Sequence, residues 1–123
     1  MARILIAEDD DTLRELLVRA LGEDGHVLTE SADGATALDA LSESNGEFDL
    51  LLSDVKMPKV DGIELALATG RNHPNIAIML MTGYAEQRER AHGLDALVQD
   101  VIFKPFSIEQ IKGAVREALM LRH

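Results

Sequence analysis

Asp54 closes an apolar run, Leu50-Leu51-Leu52-Ser53, and opens a loop punctuated by Pro58 and Gly62. A run of Leu too short for a core helix predicts a strand buried on both faces, and hence a parallel sheet covered by helices. In such a sheet the carboxyl ends of the strands form the crevice where ligands bind, so a strand-end carboxylate is offered to them on rigid backbone. Asp54 is therefore the leading nucleophile or metal-ligand candidate. A second short apolar run, Arg3 to Ala7, ends in Glu8-Asp9-Asp10-Asp11. If Glu8, Asp9 and Asp54 share one crevice, they repel one another unless a cation neutralises them. With no cysteine and four scattered histidines, the donors are oxygens, which suit a hard divalent ion, most plausibly Mg²⁺. A metal that also contacts a phosphate would let Asp54 attack phosphorus and form an aspartyl phosphate. Thr82 and Lys104, at the ends of two later strands, add a hydroxyl and an ammonium suited to phosphoryl oxygens.

These residues need a scaffold of alternating strands and helices. Strands are expected over residues 3–7, 27–29, 49–54, 76–81 and 98–103. The first helix is capped by Asp10 or Asp11, turns Leu13, Leu16, Leu17, Ala20 and Leu21 inward, and is ended by Gly22 and Gly25. The second follows a turn at residues 31–34 and buries Ala37, Leu38 and Leu41. The third opens at Gly62 with Ile63, Ala66 and Leu67 inward, is weakened by Gly70, and stops at Asn72-His73-Pro74. Residues 84–97, highly polar and interrupted at Gly93, predict a marginal helix. A last helix is capped by Ser107 and buries Ile108, Ile111, Val115, Ala118 and Leu119. Five alternations give a doubly wound α/β domain with a five-stranded parallel sheet in the order 2-1-3-4-5. That order sets strand 1 beside strand 3, and Glu8 and Asp9 beside Asp54.

Composition narrows the partners. A chain of 123 residues is one ordinary domain. Its formal charge of −10 argues against nucleic acid and against an anionic membrane surface. The apolar start is too short for a signal peptide, and no run is long enough to span a bilayer. An acidic, soluble, cytoplasmic domain is expected.

Four motifs then carry a family resemblance: Ile4-Leu5-Ile6-Ala7-Glu8-Asp9-Asp10; Asp54 with Met57-Pro58 and Asp61-Gly62; Thr82-Gly83; and Lys104-Pro105-Phe106. In this order and spacing the whole chain resembles a bacterial two-component response-regulator receiver domain of flavodoxin-like fold. The resemblance implies that Asp54 is the phosphoacceptor, that Asp9 binds Mg²⁺ directly, and that Glu8 binds it directly or through water. It further implies that the Lys56 backbone carbonyl is the remaining protein ligand, Thr82 the switch hydroxyl, Lys104 the phosphate-pairing lysine, and Lys104-Pro105 a cis peptide. The phosphoryl donor would be a histidine kinase or a histidine phosphotransfer protein. Residues 1–123 would form a stand-alone, monomeric receiver with no output domain, catalysing only its own phosphorylation and dephosphorylation. Output would pass through changed protein contacts of the 84–122 face. More narrowly, residues 2–11 and Met81-Thr82-Gly83-Tyr84 resemble an alphaproteobacterial group of single-domain receivers that controls regulated proteolysis, which makes a protease or its substrate the candidate partner.

Two positions depart from the family pattern. Val101 stands three residues before the lysine, where many receivers carry a switch aromatic, and Gly83 stands where Ala is common. Phe103 should point to the other face of its strand. Elsewhere the simpler readings hold: Asp10 and Asp11 as cap residues, Met79 and Met81 as core, Arg88, Glu89 and Arg90 as a solvated face, and His26, His73, His92 and His123 as surface histidines. Two other functions compete. One is a phosphate-independent binding adaptor with a vestigial acidic site. The other is a small aspartyl-phosphate phosphatase, against which stands Lys56, where such enzymes carry a second Asp as general acid.

Overall fold

The computed structural model describes residues 2–83 and 97–121. Among them the order is β1 (Arg3–Ala7), α1 (Asp11–Glu23), β2 (Val27–Ser31), α2 (Gly34–Glu43), β3 (Leu50–Asp54), α3 (Gly62–Asn72), β4 (Ala77–Thr82), β5 (Asp100–Phe103) and α4 (Ile108–Leu121). All strands are parallel, in one sheet ordered β2-β1-β3-β4-β5. The doubly wound architecture is therefore as the alternation implied. Registers of Ala7↔Ser53 and Asp54↔Met81 bring the carboxyl ends of β1, β3 and β4 level with one another.

Alternate residues of each central strand feed two cores. Leu5, Ala7, Leu51, Ile78 and Leu80 pack with Ala37, Leu41, Ile63, Leu65 and Ala66 under α2 and α3. Ile4, Ile6, Leu50, Leu52, Met79 and Met81 pack with Leu17, Leu21, Ile111, Val115 and Ala118 under α1 and α4. All five residues of β3 are buried, as expected of a strand covered on both faces. Met79 and Met81 are core residues.

Each helix among the described residues is started by a side chain. Asp10 accepts from the N–H groups of Thr12 and Leu13, Asp33 from Thr36, and Asp61 from Glu64. Ser107 and Gln110 cap α4 reciprocally: Ser107 Oγ accepts from Gln110 N–H at 3.0 Å, and Gln110 Oε1 from Ser107 N–H at 2.7 Å. Such a capping box satisfies two orphan donors of the first turn.

Several expectations are corrected. Leu16 and Leu67 are 44% and 43% exposed, because the buried stripes run through Leu17, Ala20 and Leu21 in α1 and through Ile63, Leu65, Ala66 and Thr69 in α3. Both outliers lie past the edge of their stripe. Leu13, Leu38, Ile108 and Leu119 are only half-buried. Gly22 is helical, and α1 ends with Gly25 at φ +86°. β2 runs on to Ser31 because Ala7 pairs with it, and the β5 ladder starts only at Asp100. His26 is half-buried, its Nδ1 accepting the Ala2 N–H at 3.2 Å. His73 is half-buried as well and closes α3. The marginal helix over 84–97, the solvated face at 88–90, His92 and His123 lie outside the described residues, apart from Leu97.

Candidate functional site

The carboxyl ends of β1 and β3, the loop after β3 and the residues following β4 and β5 enclose a cleft of about 760 Å³. It is lined by acids, Glu8, Asp9, Asp10 and Asp54, with Lys56 and Lys104, and walled by Met57, Pro58, Gly83 and Pro105. Glu8 and Asp54 are buried, Asp9 exposed. Oxygens of these three side chains lie within 4.8 Å of one another. The sheet order alone dictates this: β1 and β3 are hydrogen-bonded neighbours, so their last residues meet.

Lys104 joins the two buried acids. Its Nζ stands 3.2 Å from Asp54 Oδ2 and 3.1 Å from Glu8 Oε1. It is aimed there by the chain just before the cis Lys104-Pro105 peptide, where Lys104 N–H donates to the Thr82 carbonyl at 2.8 Å. The other Glu8 oxygen, Oε2, accepts from Asp10 N–H at 3.1 Å. Burial pushes the Glu8 carboxyl up to about 7; the negative charge of Asp54 adds to this, while the Asp10 N–H and Lys104 oppose it. Burial likewise raises Asp54, against Lys104 and with a push from Asp9. For Lys104 burial acts downward, but the charges of Asp54 and Glu8 outweigh it and hold the ammonium above its ordinary value. The cleft thus holds more negative charge than its lysines balance. Three oxygen donors gathered this closely fit a hard cation, which takes a few carboxylates and completes its shell with water.

Thr82 lies at the end of β4 with its side chain fully buried; Gly83 and Lys104, not Thr82, line the cleft. Lys56 lines the cleft and is exposed. Val101 is half-buried against the core under α2 and α3, and Phe103 is 42% exposed. One residue passed unnoticed in the sequence: Arg14, which reads as the polar side of α1 yet reaches back to the Glu8 backbone carbonyl at 2.8 Å. Its only sequence signal is the i,i+3 spacing from Asp11, with which it pairs at 2.6 Å.

Comparison with known proteins fits this geometry. The family model of the response regulator receiver domain matches residues 4–116. The chain belongs to that family. Receiver domains generally bind Mg²⁺ at an acidic site and are generally not turnover enzymes. Among curated relatives, the receiver is 37% identical over 120 residues to the response regulator receiver protein CpdR of Brucella abortus, covering 98% of each chain. It is 39% identical over 119 residues to the sensor kinase CckA of the same organism, covering 96% of this chain but only 12% of that protein. The solved receiver domain of the hybrid histidine kinase CckA superposes with a TM-score of 0.79 at 32% identity, covering 95% of this chain and 98% of that one. No helix among the described residues is long and apolar enough to cross a membrane.

Proposed function

We propose that this receiver takes a phosphoryl group onto Asp54 from a histidine kinase or a histidine phosphotransfer protein, with Mg²⁺ held by Glu8, Asp9, Asp54 and the Lys56 backbone carbonyl. Bound there, Mg²⁺ would neutralise charge on the phosphoryl oxygens and help align the donor. Asp54 attacks as the carboxylate: its oxygen bonds to phosphorus as the phosphorus–nitrogen bond of the phosphohistidine breaks, and the imidazole leaves with the bonding pair. Lys104 favours the ionised form of Asp54 beforehand, against its burial, and turns to a phosphoryl oxygen afterwards, a point charge that needs little repositioning. The Thr82 hydroxyl donates to another phosphoryl oxygen. Thr82 is fully buried at the end of β4, so this hydrogen bond would tie the phosphate to that strand end.

The observation that carries this reading is the lysine contact: Lys104 Nζ is 3.2 Å from Asp54 Oδ2, in the cleft where oxygens of Glu8, Asp9 and Asp54 gather within 4.8 Å. Output passes through altered protein contacts of the 84–122 face. The full-length match to CpdR supports the narrower resemblance seen in the sequence, and with it a protease or its substrate as downstream partner.

Intact mass after incubation with Mg²⁺ and a small acyl phosphate tests the proposal. One phosphoryl group is expected on the wild type and none on Asp54→Asn or in EDTA. No adduct from either an acyl phosphate or a phosphohistidine donor would favour the second reading, a phosphate-independent adaptor. A phosphatase acting on external esters is disfavoured by Lys56, which cannot replace an acid two residues beyond the nucleophile.

A further inference from the structure

Glu8 and Asp9, two of the three clustered acids, are joined by a single peptide unit, and that unit is planar and rigid. Its carbonyl, on Glu8, lies beyond the last β1–β3 ladder pair, Ala7↔Ser53. There it accepts from the Arg14 guanidinium at 2.8 Å. The same guanidinium donates to Asp11 Oδ1 at 2.6 Å and to Glu30 Oε1 at 3.3 Å. One planar fork therefore ties together the end of β1, the first turn of α1 and the end of β2. On the amino side, Glu8 N–H donates to the Ser31 carbonyl at 3.0 Å, so the backbone of Glu8 is held at both ends. The Arg14 side chain is only 15% exposed, unlike the long surface pairs that contribute little.

We propose that Arg14 is a positioning residue for the cation site: it sets the plane of the Glu8–Asp9 peptide, and through it the directions in which both carboxylates project. This rests on the reading of the cleft as a Mg²⁺ site. A simple charge effect has the opposite sign. Removing a positive group near a cation site should tighten cation binding, whereas releasing the peptide should loosen it. Groups that orient metal ligands from behind typically change affinity by about 10–100-fold.

The test is Mg²⁺ titration by calorimetry on the whole chain, with wild type, Arg14→Met, Arg14→Lys and Lys112→Met. The last removes the ion pair of Lys112 with Glu23 at the far end of α1 and controls for general loosening of that helix. Arg14→Met is expected to bind Mg²⁺ about tenfold more weakly despite the lost positive charge. Arg14→Lys keeps the charge but not the three-way fork and should also bind more weakly, while Lys112→Met should match the wild type. In phosphorylation by an acyl phosphate, the half-saturating Mg²⁺ concentration should rise in parallel. Arg14→Met binding as tightly as wild type or tighter overturns the inference, as does an equal loss in Lys112→Met or wild-type affinity in Arg14→Lys. Weakened Mg²⁺ binding in the Arg14 variants with no phosphoryl adduct on the wild type from either an acyl phosphate or a phosphohistidine donor would uphold the inference and sink the phosphoacceptor reading alone.

Discussion

Gly62 packs so closely beneath Asp54 that a Cβ at position 62 would stand well inside contact distance of the Asp54 carbonyl oxygen and against the Val55 backbone. The first residue of α3 is thereby pressed onto the end of the strand that carries the site, with Gly62 N–H donating to the Val55 carbonyl at 2.8 Å. The backbone at Gly62 is ordinary, so the need for glycine here is one of space. Gly62→Ala should lower stability by about 1–3 kcal/mol, the usual cost of forcing atoms into a filled site. It should also slow phosphorylation, since the strand end must shift. A urea midpoint equal to that of wild type would contradict this.

Acidity of Glu8 makes a second prediction, for the cation-free protein. The folded state raises the Glu8 carboxyl from 4.5 to about 7, chiefly through burial. Folding then binds the proton more tightly than unfolding does, so the Glu8 contribution is complete below about pH 4.5 and is lost as pH rises through about 7. Asp54, also raised, acts in the same direction. Glu8→Gln mimics the protonated form and should melt higher than wild type in EDTA at pH 7.5, the gap closing towards pH 5. Thermal melts at the two pH values decide it; a wild type stabler than Glu8→Gln at pH 7.5 would refute the assignment.

Most of the scaffold was legible because its signals are local. Leu50-Leu51-Leu52 reads as a doubly covered strand, and Asp10 or Asp11 and Ser107 announce their helices. The clustering of Glu8, Asp9 and Asp54 followed from strand order alone. What stayed hidden depends on contacts between distant parts of the chain. Gly70 reads as a weak point in a helix, but the end of the Leu97 side chain lies where a Cβ there would stand, a neighbour that local sequence does not announce. Leu67 keeps helical spacing with Ile63, and only the placement of α3 on the sheet turns it outward. Thr82 sits at the right strand end, yet its strand is buried on both faces and its side chain with it. Arg14 has no motif beyond its spacing from Asp11, since its other partners are the Glu8 backbone carbonyl and the distant Glu30 carboxylate.

Lys104 is the counter-charge for both buried acids, which makes its removal pH-dependent. Lys104→Met leaves Glu8 and Asp54 facing each other without it, and stripping one partner from a buried pair costs about 3–5 kcal/mol. Towards pH 5 Glu8, raised to about 7 even beside Lys104, relieves this by holding a proton, and the raised Asp54 carboxyl shifts in the same direction; towards pH 8 that relief fades. The loss of stability relative to wild type should therefore be several-fold larger at pH 8 than at pH 5 when both are measured in EDTA by urea unfolding. An equal loss at both values would show that Lys104 contributes through packing of its stem rather than through its charge.

A divalent cation should act as the mirror image of those protons. Ligand carboxylates must be deprotonated to bind metal, so protons and Mg²⁺ compete for Glu8 and Asp54. Stabilisation by a ligand that binds only the folded state reaches about 2.7 kcal/mol at a hundredfold excess over the dissociation constant. For a fixed Mg²⁺ concentration that gain should be larger at pH 7.5 than at pH 5.5, because Glu8, held at about 7 without the cation, retains its proton at the lower value. Asp9→Asn should lose most of the gain at both pH values while leaving the cation-free melt nearly unchanged, since Asp9 is exposed. Paired thermal melts with Mg²⁺ and with EDTA measure this directly. A Mg²⁺ effect that is the same at both pH values, or that survives in Asp9→Asn, would place the cation somewhere other than between Glu8, Asp9 and Asp54.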